Sequence, residues 1–521
     1  MEALDIVALQ TALGDVFTVQ TIFFASLGVV IGISVGAIPG LAHTLPIAMV
    51  LPFAFVLDLA PFMGMLIGTY TAGTYGGSIT AIAFGTPGTA SASATVADGY
   101  ALTQAGKGKK ALQMALYASL VGASISAFFL IFLVVPIGRL APRFGPAELT
   151  ALFCMALALV VVFAAENPGK GIMSAGIGFF LAVIGRDPIT AGLRFTFGLR
   201  ELQAGFPLVP LLMGFFAVPV IIKEIGKILS KPAKSEEGEL GEDILEKVKK
   251  REEGLTLKEF LGSWKAMGVG SLIGTFLGAL PGPGAVLASY TSYSINSQLT
   301  KDKNYGKGSL DGIAAAEAGN NGTCSATFIP MLTFGIPGSS ISALLMAALI
   351  MQGVPLGPRV VIDHTAVVYT LFLLLLIAVP AKYIFGRLLI PVFSTLTKIP
   401  AAILWPIITV FLVIGIYAYD HTPFHIVLAL AAGLVGYFYN WYKLPPGPMI
   451  LAFLVAPLFE RAFRNALTMS RGNPLFFIRS NIAFGLWLTT VVAIVLFVWN
   501  RRRLKKQAAL EEGVDSVDDP K

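Results

Sequence analysis

The sequence predicts an all-α polytopic membrane protein of about 11–14 membrane segments, on three observations. The first is composition: 55% of the 521 residues are hydrophobic and 13% charged, with a mean hydropathy of +0.78. A soluble chain of this size carries roughly 25% charged residues. The second is a recurrence of long apolar runs, such as Thr365 to Pro380 and Ile482 to Val498. Such runs match the ~20 residues that cross a hydrocarbon core, and they lack the period-two alternation of a membrane β-barrel. The third is internal duplication. G-x-x-x-G-A-[I/L]-P-G occurs at Gly32–Gly40 and again at Gly274–Gly282, 242 residues on. F-G-x-P-G occurs at Phe84–Gly88 and Phe334–Gly338, 250 residues apart, and Pro210–Pro219 resembles Pro448–Pro457 at an offset of 238. Three matches in one order predict two pseudo-symmetric repeats.

Within the first repeat, an apolar segment runs from Val16 to Pro39 and a second from Leu41 to Leu57, with Pro46 and Pro52 inside it. Asp58 and Pro61 mark a loop. The stretch from Phe62 to Gly88 is rich in Gly, Thr and Ser and ends at the second Pro-Gly break. Asp98-Gly99-Tyr100 and a basic loop of Lys107, Lys109 and Lys110 follow, with Asp98 read as an interfacial cap. Apolar helices are expected at about 111–137, 147–165, 171–184 and 206–222. Proline removes a backbone donor and the glycine after it permits positive φ, so each Pro-Gly predicts a broken helix or re-entrant hairpin.

Composition then changes sharply. Residues 223–263 mix Lys, Arg, Glu and Asp and read as a charged cytoplasmic linker carrying an amphipathic helix. The first repeat is therefore assigned to 1–222 and the second to 264–465. An extra C-terminal membrane helix takes 466–500, and a charged cytoplasmic tail takes 501–521. Loop charge argues that the repeats are inverted. Between its two breaks, half one has Asp58 where half two has Lys301, Lys303 and Lys307. After the second break half one is basic, whereas half two has Arg359 beside Asp363. Arg461, Arg464, Arg471 and Arg479 run against this scheme, because it places them outside. The first basic residue is Lys107, so the positive n-region of a signal peptide is missing. Glu2, Asp5 and Asp15 favour an outside N-terminus.

The net charge of +7 reports membrane orientation rather than nucleic-acid binding. Cys154 and Cys324 read as buried packing residues. His43, His364, His421 and His425 form no spaced metal motif, and no P-loop is present, so neither an enzyme, a metal site nor ATP hydrolysis is indicated. Transport energy must come from an ion gradient or another subunit. G-x-x-x-G alone, as at Gly32 and Gly36, is more often a close-packing face than a ligand site. The Pro-Gly that follows is not needed for packing. A helix start at membrane depth offers unpaired N–H groups to a carboxylate, and helix-end carbonyls suit Na⁺.

The substrate-binding candidates are accordingly Pro39, Gly40, Thr44, Tyr75, Gly76, Gly77, Ser78, Pro87 and Gly88 in half one. In half two they are Pro281, Gly282, Gly284, Asn320, Asn321, Pro337, Gly338 and Ser339. The segments at these breaks contain no Lys or Arg, so neutral dipoles are expected to hold the anion. Glu317 is an acid inside a small-residue segment. It is a candidate to coordinate a cation, to carry a coupling proton or to cap a helix. No cofactor is indicated beyond Na⁺ or H⁺ as coupling ion.

Several of these motifs together resemble one family. Pro39-Gly40-Leu41, Tyr75-Gly76-Gly77-Ser78, Pro87-Gly88 and Asp98-Gly99-Tyr100 do so in half one, with Arg194-Phe195-Thr196-Phe197-Gly198. Pro281-Gly282-Pro283-Gly284, Ala316-Glu317-Ala318, Asn320-Asn321 and Phe334 to Ser339 do so in half two. The chain resembles the large permease subunit of tripartite tricarboxylate transporters and is similar to the wider ion-transporter superfamily. The resemblance implies a bacterial inner-membrane permease that works with a small membrane subunit and a periplasmic solute-binding protein. It implies cation-coupled uptake of a tricarboxylate, dicarboxylate or similar anion, through inverted repeats with re-entrant hairpins that move by an elevator-like step. Ala42-His43 departs from the family pattern and puts substrate preference or pH response in question. The competing expectations are a stand-alone ion-coupled symporter or exporter and, from another class, an intramembrane enzyme or lipid-handling scaffold. No paired acids or Ser-His arrangement in the apolar segments supports the last.

Overall fold

The computed structural model describes residues 5–38, 44–164, 168–230, 253–282, 284–300, 302, 304–357, 359–389 and 401–515. Among them the sole strand pairing is a two-residue antiparallel one, Gly185–Arg186 (β1) with Leu193–Arg194 (β2). Everything else regular is helical. Pro39, Gly40, His43, Pro283, Lys301, Lys303 and linker residues 231–252 lie outside the described residues.

Local chemistry starts the helices where it can. Asp5 accepts from the Ala8 N–H to open α1 (Ile6–Val16), and Thr18 accepts from the Thr21 N–H to open α2 (Val19–Gly36). Then come α3 (Thr44–Val50), which tightens into a 3₁₀ turn at Leu51–Phe55, and the 26-residue α4 (Leu59–Phe84). Half one continues with α5 (Ser93–Gln104), α6 (Gly108–Leu140), α7 (Pro146–Ala164), α8 (Pro168–Val183) and α9 (Leu208–Ser230). A capping box between Thr256 and Glu259 opens the short α10 (Leu257–Gly262). It leads to α11 (Trp264–Gly278), α12 (Gly284–Leu299), α13 (Leu310–Ala326), α14 (Phe328–Phe334) and α15 (Ser340–Met351). The remainder is α16 (Val360–Asp363), α17 (Thr365–Leu389), α18 (Ala401–Ala418), α19 (Pro423–Trp441), α20 (Pro446–Ser470) and α21 (Asn481–Asp515).

Eight described helices are long and apolar enough to cross a membrane: α2, α6, α7, α9, α17, α19, α20 and α21. The fold is an all-α polytopic membrane protein. α4 has the length but not the apolar character, because Thr69, Thr71, Thr74 and Ser78 interrupt it. It is instead buried inside the protein from Ala60 to Ile82. α13 is likewise buried from Gly312 to Ala326.

One packing pattern occurs in both halves. A Cβ on Gly32 would run into the Thr69 carbonyl, and one on Gly36 would lie 2.7 Å from the Gly73 carbonyl. In half two, a Cβ on Gly274 would run into the Gly319 carbonyl, and one on Gly278 would lie 2.7 Å from Thr323 Cα. The glycine faces of α2 and α11 thus lie directly on the backbones of α4 and α13. Both pairs run parallel, since later residues meet later residues. The chain must return between them, through α3 in half one and α12 in half two. The halves then meet where α4 crosses α13 and α14. Tyr70 stacks edge-on with Phe328 at 6.4 Å, Thr74 Oγ1 lies 3.5 Å from Cys324 Sγ, and Ser78 reaches Glu317. The order of these contacts is antiparallel. Thr74 and Cys324 are equivalent positions at the 250-residue offset, so the two halves touch at matching points.

Candidate functional site

The second break has the same backbone in each half. Gly85 and Gly335 end their helices at φ 68° and 69°, a left-handed conformation that costs a side-chain-bearing residue roughly 1–2 kcal/mol. Pro-Gly follows both. The Gly88 N–H donates to the Gly77 carbonyl at 3.0 Å, and a Cβ on Gly88 would strike the Gly36 carbonyl at the end of α2. In half two the Gly282 N–H donates to the Gly338 carbonyl at 2.8 Å. Each half therefore brings its second break against the end of its first helix. Gly282 and Gly284 have φ of 109° and 59°, as the Pro-Gly pattern predicts.

Ser78, the residue after the Gly77 that Gly88 contacts, leads into a polar core that closes on Glu317. This carboxylate is fully buried on α13. Its Oε1 accepts from Ser78 Oγ of α4 at 2.6 Å and from Thr95 Oγ1 of α5 at 2.5 Å. Its Oε2 accepts from Ser119 Oγ of α6 at 3.1 Å. Asn321 Nδ2 donates to Ser119 Oγ at 2.9 Å, and Lys382 Nζ of α17 donates to Asn321 Oδ1 at 3.0 Å. Five helices contribute to one oriented network. Lys382, also fully buried, adds a cation to this network from outside the segments at the breaks. It arrives from a helix 61 residues beyond Asn321, and sequence proximity to the breaks did not reveal it. Its signal was a single Lys inside an otherwise apolar helix rather than at an end. Thr95 and Ser119, common hydroxyls in helical stretches, carried no such signal.

The other candidates divide by what holds them. Asn321 and Ser78 belong to the network. Ser339 Oγ accepts from the Ser342 N–H and caps α15. Gly76 and Gly77 are close-approach points: a Cβ on the first would lie 2.7 Å from the Ile33 carbonyl, and one on the second would meet the Thr89 side chain. Pro87, Pro281 and Pro337 sit in the turns beside their glycines. Thr44 Oγ1, the Tyr75 hydroxyl and both polar atoms of Asn320 are buried without a hydrogen-bond partner. Thr275 Oγ1 on α11 shares that condition and was not anticipated. Two open cavities, of about 270 and 410 Å³, lie elsewhere, beside Asp15 and Asp58 and beside Phe55 and Tyr419.

Outside this core, pairs of opposite charge tie distant segments. Asp98 is buried and accepts from the Gly308 and Ser309 N–H groups at 2.9 and 2.8 Å, so it caps the start of α13 in the other half. Arg464, one of the arginines that ran against the charge rule, reaches Asp187 at 2.8 Å and Glu460 at 2.9 Å. Arg194 forks onto Glu460 at 2.9 and 3.1 Å. The Thr190 N–H, the Arg464 guanidinium and the Ile189 N–H hold the Asp187 carboxyl well below the usual carboxylate range. Lys110 meets Glu259 at 2.6 Å and, with the Thr256 N–H, lowers that carboxyl to about 2.

Residues 22–451 match the tripartite tricarboxylate transporter TctA family. The chain is 31% identical over 504 residues to an uncharacterized 52.8 kDa protein in the TAR-I ttuC' 3' region of Agrobacterium vitis, covering 96% of this chain and 97% of that one. A second protein of that organism, in the TAR-II ttuC' 3' region, is 33% identical over 240 residues, 46% of this chain and 99% of that one. No solved structure matches. The chain therefore belongs to the TctA family of tripartite tricarboxylate transporters.

Proposed function

We propose that this chain is the large permease subunit of a bacterial inner-membrane system that takes up a tricarboxylate, dicarboxylate or similar organic anion. A periplasmic binding protein delivers the anion, a small membrane subunit accompanies the permease, and a gradient of Na⁺ or H⁺ drives uptake. The substrate site lies at the paired Pro-Gly breaks, with Glu317 as the coupling group. One observation supports this most directly: a carboxylate and an ammonium are buried together where the two halves cross, next to both unpartnered polar atoms and broken backbone. Buried ionisable groups in membrane proteins are costly and are kept for transport or proton movement. The antiparallel crossing of α4 with α13 and α14, with equivalent residues Thr74 and Cys324 in contact, supports inverted repeats. On that reading the linker and tail share the cytoplasmic face.

The test is uptake of labelled di- and tricarboxylates by membrane vesicles, with and without the binding protein and small subunit. Accumulation only with the full set and an ion gradient is the expected result. Equal accumulation by this chain alone would instead make it a stand-alone symporter.

A further inference from the structure

We propose that Lys382 is a conditional counter-ion of the transported carboxylate, released to it when Glu317 takes up a proton. This rests on the reading above that the chain moves a carboxylate. Two opposite charges buried at membrane depth gain most from direct contact. Here no direct ion pair joins them. The connection runs from Lys382 Nζ through Asn321 and Ser119 to Glu317 Oε2, in steps of 3.0, 2.9 and 3.1 Å. An ammonium has three protons. Asn321 Oδ1 takes one, the Ser119 carbonyl takes a second at 3.4 Å, and the third has no acceptor among the described residues. Lys382 thus keeps a free donor while its charge is balanced at a distance.

Ser78, Thr95 and Ser119 place three hydroxyls within hydrogen-bond distance of Glu317, and each can donate to the ionised carboxylate. A proton arriving from water forms an O–H bond on Glu317 and neutralises it. Lys382 is then a buried charge without compensation. A substrate carboxylate restores neutrality by accepting from the free Nζ proton. The site is balanced with neither proton nor carboxylate, and again with both. Either one alone leaves net charge in a buried core. The two bindings are therefore linked reciprocally. Tyr75 of α4 and Cys324 of α13 are the other titratable groups that act on this pair, with Tyr117 of α6 acting on Tyr75 and Tyr70 of α4 on Cys324. α5 contributes the Thr95 hydroxyl and the buried Asp98, whose oxygens accept from the Tyr293 hydroxyl and the Gly308 and Ser309 N–H groups. Tyrosine and cysteine are neutral at pH 7, which leaves Glu317 and Lys382 as the charged pair.

Vesicles holding the full transport complex test this with labelled citrate and a panel of dicarboxylates, using whichever acid the wild type takes up fastest. An inward proton gradient should raise wild-type accumulation about tenfold or more, and a Na⁺ gradient should not. Glu317→Gln should lose the gradient response, because no side chain remains there to take up the proton. Lys382→Met/Glu317→Gln carries no buried charge and should insert as well as wild type, yet exchange of internal for external acid should fall about tenfold or more. Exchange at the wild-type rate in that double variant would make the pair structural and overturn the proposal. So would uptake driven by Na⁺ alone, or a proton response that survives Glu317→Gln. Each of these leaves carboxylate transport standing. A wild-type complex that takes up none of the acids removes the transport reading itself, and this inference with it.

Discussion

The two halves share a backbone and divide the chemistry. α2 on α4 and α11 on α13 use the same glycine-on-carbonyl packing, and Gly85 and Gly335 turn the chain with nearly the same φ. The side chains in the crossing are not repeated. At the 250-residue offset, Glu317 corresponds to Ile67, Asn320 to Tyr70 and Asn321 to Thr71. Half two supplies the acid and half one supplies Ser78, Thr95 and Ser119 to receive it. Burying one carboxylate is already expensive, and a second in the matching place would repel the first. Close packing thus fixes matching positions in both halves while the crossing divides into a donor side and an acceptor side.

The shared frame should be equally fragile in both halves. Gly32→Leu and Gly274→Leu each push a side chain into a backbone carbonyl that has nowhere to move. We expect a loss of about 4 kcal/mol or more at either site, read as loss of monodisperse protein in detergent. Tolerance in one half alone would break the equivalence of the two helix pairs. The divided chemistry predicts the opposite pattern. Ser78→Ala takes a short hydrogen bond from a buried carboxylate and should cost about 2 kcal/mol in thermal unfolding. Thr74→Ala, which loses a contact to a neutral sulfur, should cost less than about 1 kcal/mol. Equal effects at the two positions would mean that Glu317 is not charged.

Legibility in the sequence followed the same division. Where backbone geometry demands a residue type, the pattern was visible: Pro and Gly marked the second break of each half and the turn at Pro281-Gly282, and offsets of 242 and 250 residues related the matching motifs. Glu317 stood out because an acid among Ala, Gly and Asn is costly at membrane depth, with helix capping as the bland alternative. The glycine motif held two meanings. Gly32 and Gly36 are packing residues, as are Gly274 and Gly278 in half two, where the Pro281-Gly282 beyond them marks a turn. Lys382 escaped because its role depends on α17 packing against α4 and α6, and within its own helix it is one Lys in an apolar run. The same holds for Arg464. It contradicted the charge rule until the fold placed it on Asp187, 277 residues away in sequence.

The halves are also tied at their rims, where smaller effects are expected. Arg464→Ala should cost little stability because the pair is partly solvated, and added salt should shrink the difference. A larger loss would make the Asp187–Glu460 cluster a true clamp between the halves. The weakest tie is Lys110 to Glu259, which holds the end of the linker on α6. Glu259 is lowered from its ordinary 4.5 to about 2 by Lys110 and the Thr256 N–H. A depressed carboxyl contributes its full stabilisation above the unfolded value, so docking should be intact from neutral pH down to near 5. It should weaken as pH falls from about 4.5 toward about 2, where Glu259 takes up its proton in the folded state as well. Hydrogen exchange of the Leu257–Gly262 amides in the full-length protein reads this directly. Protection should fall across that window in wild type and be low and flat with pH in Lys110→Met. Protection that persists unchanged to pH 2 would show that Phe260 against Tyr117, at 5.7 Å, and not the ion pair, holds the linker to the first half.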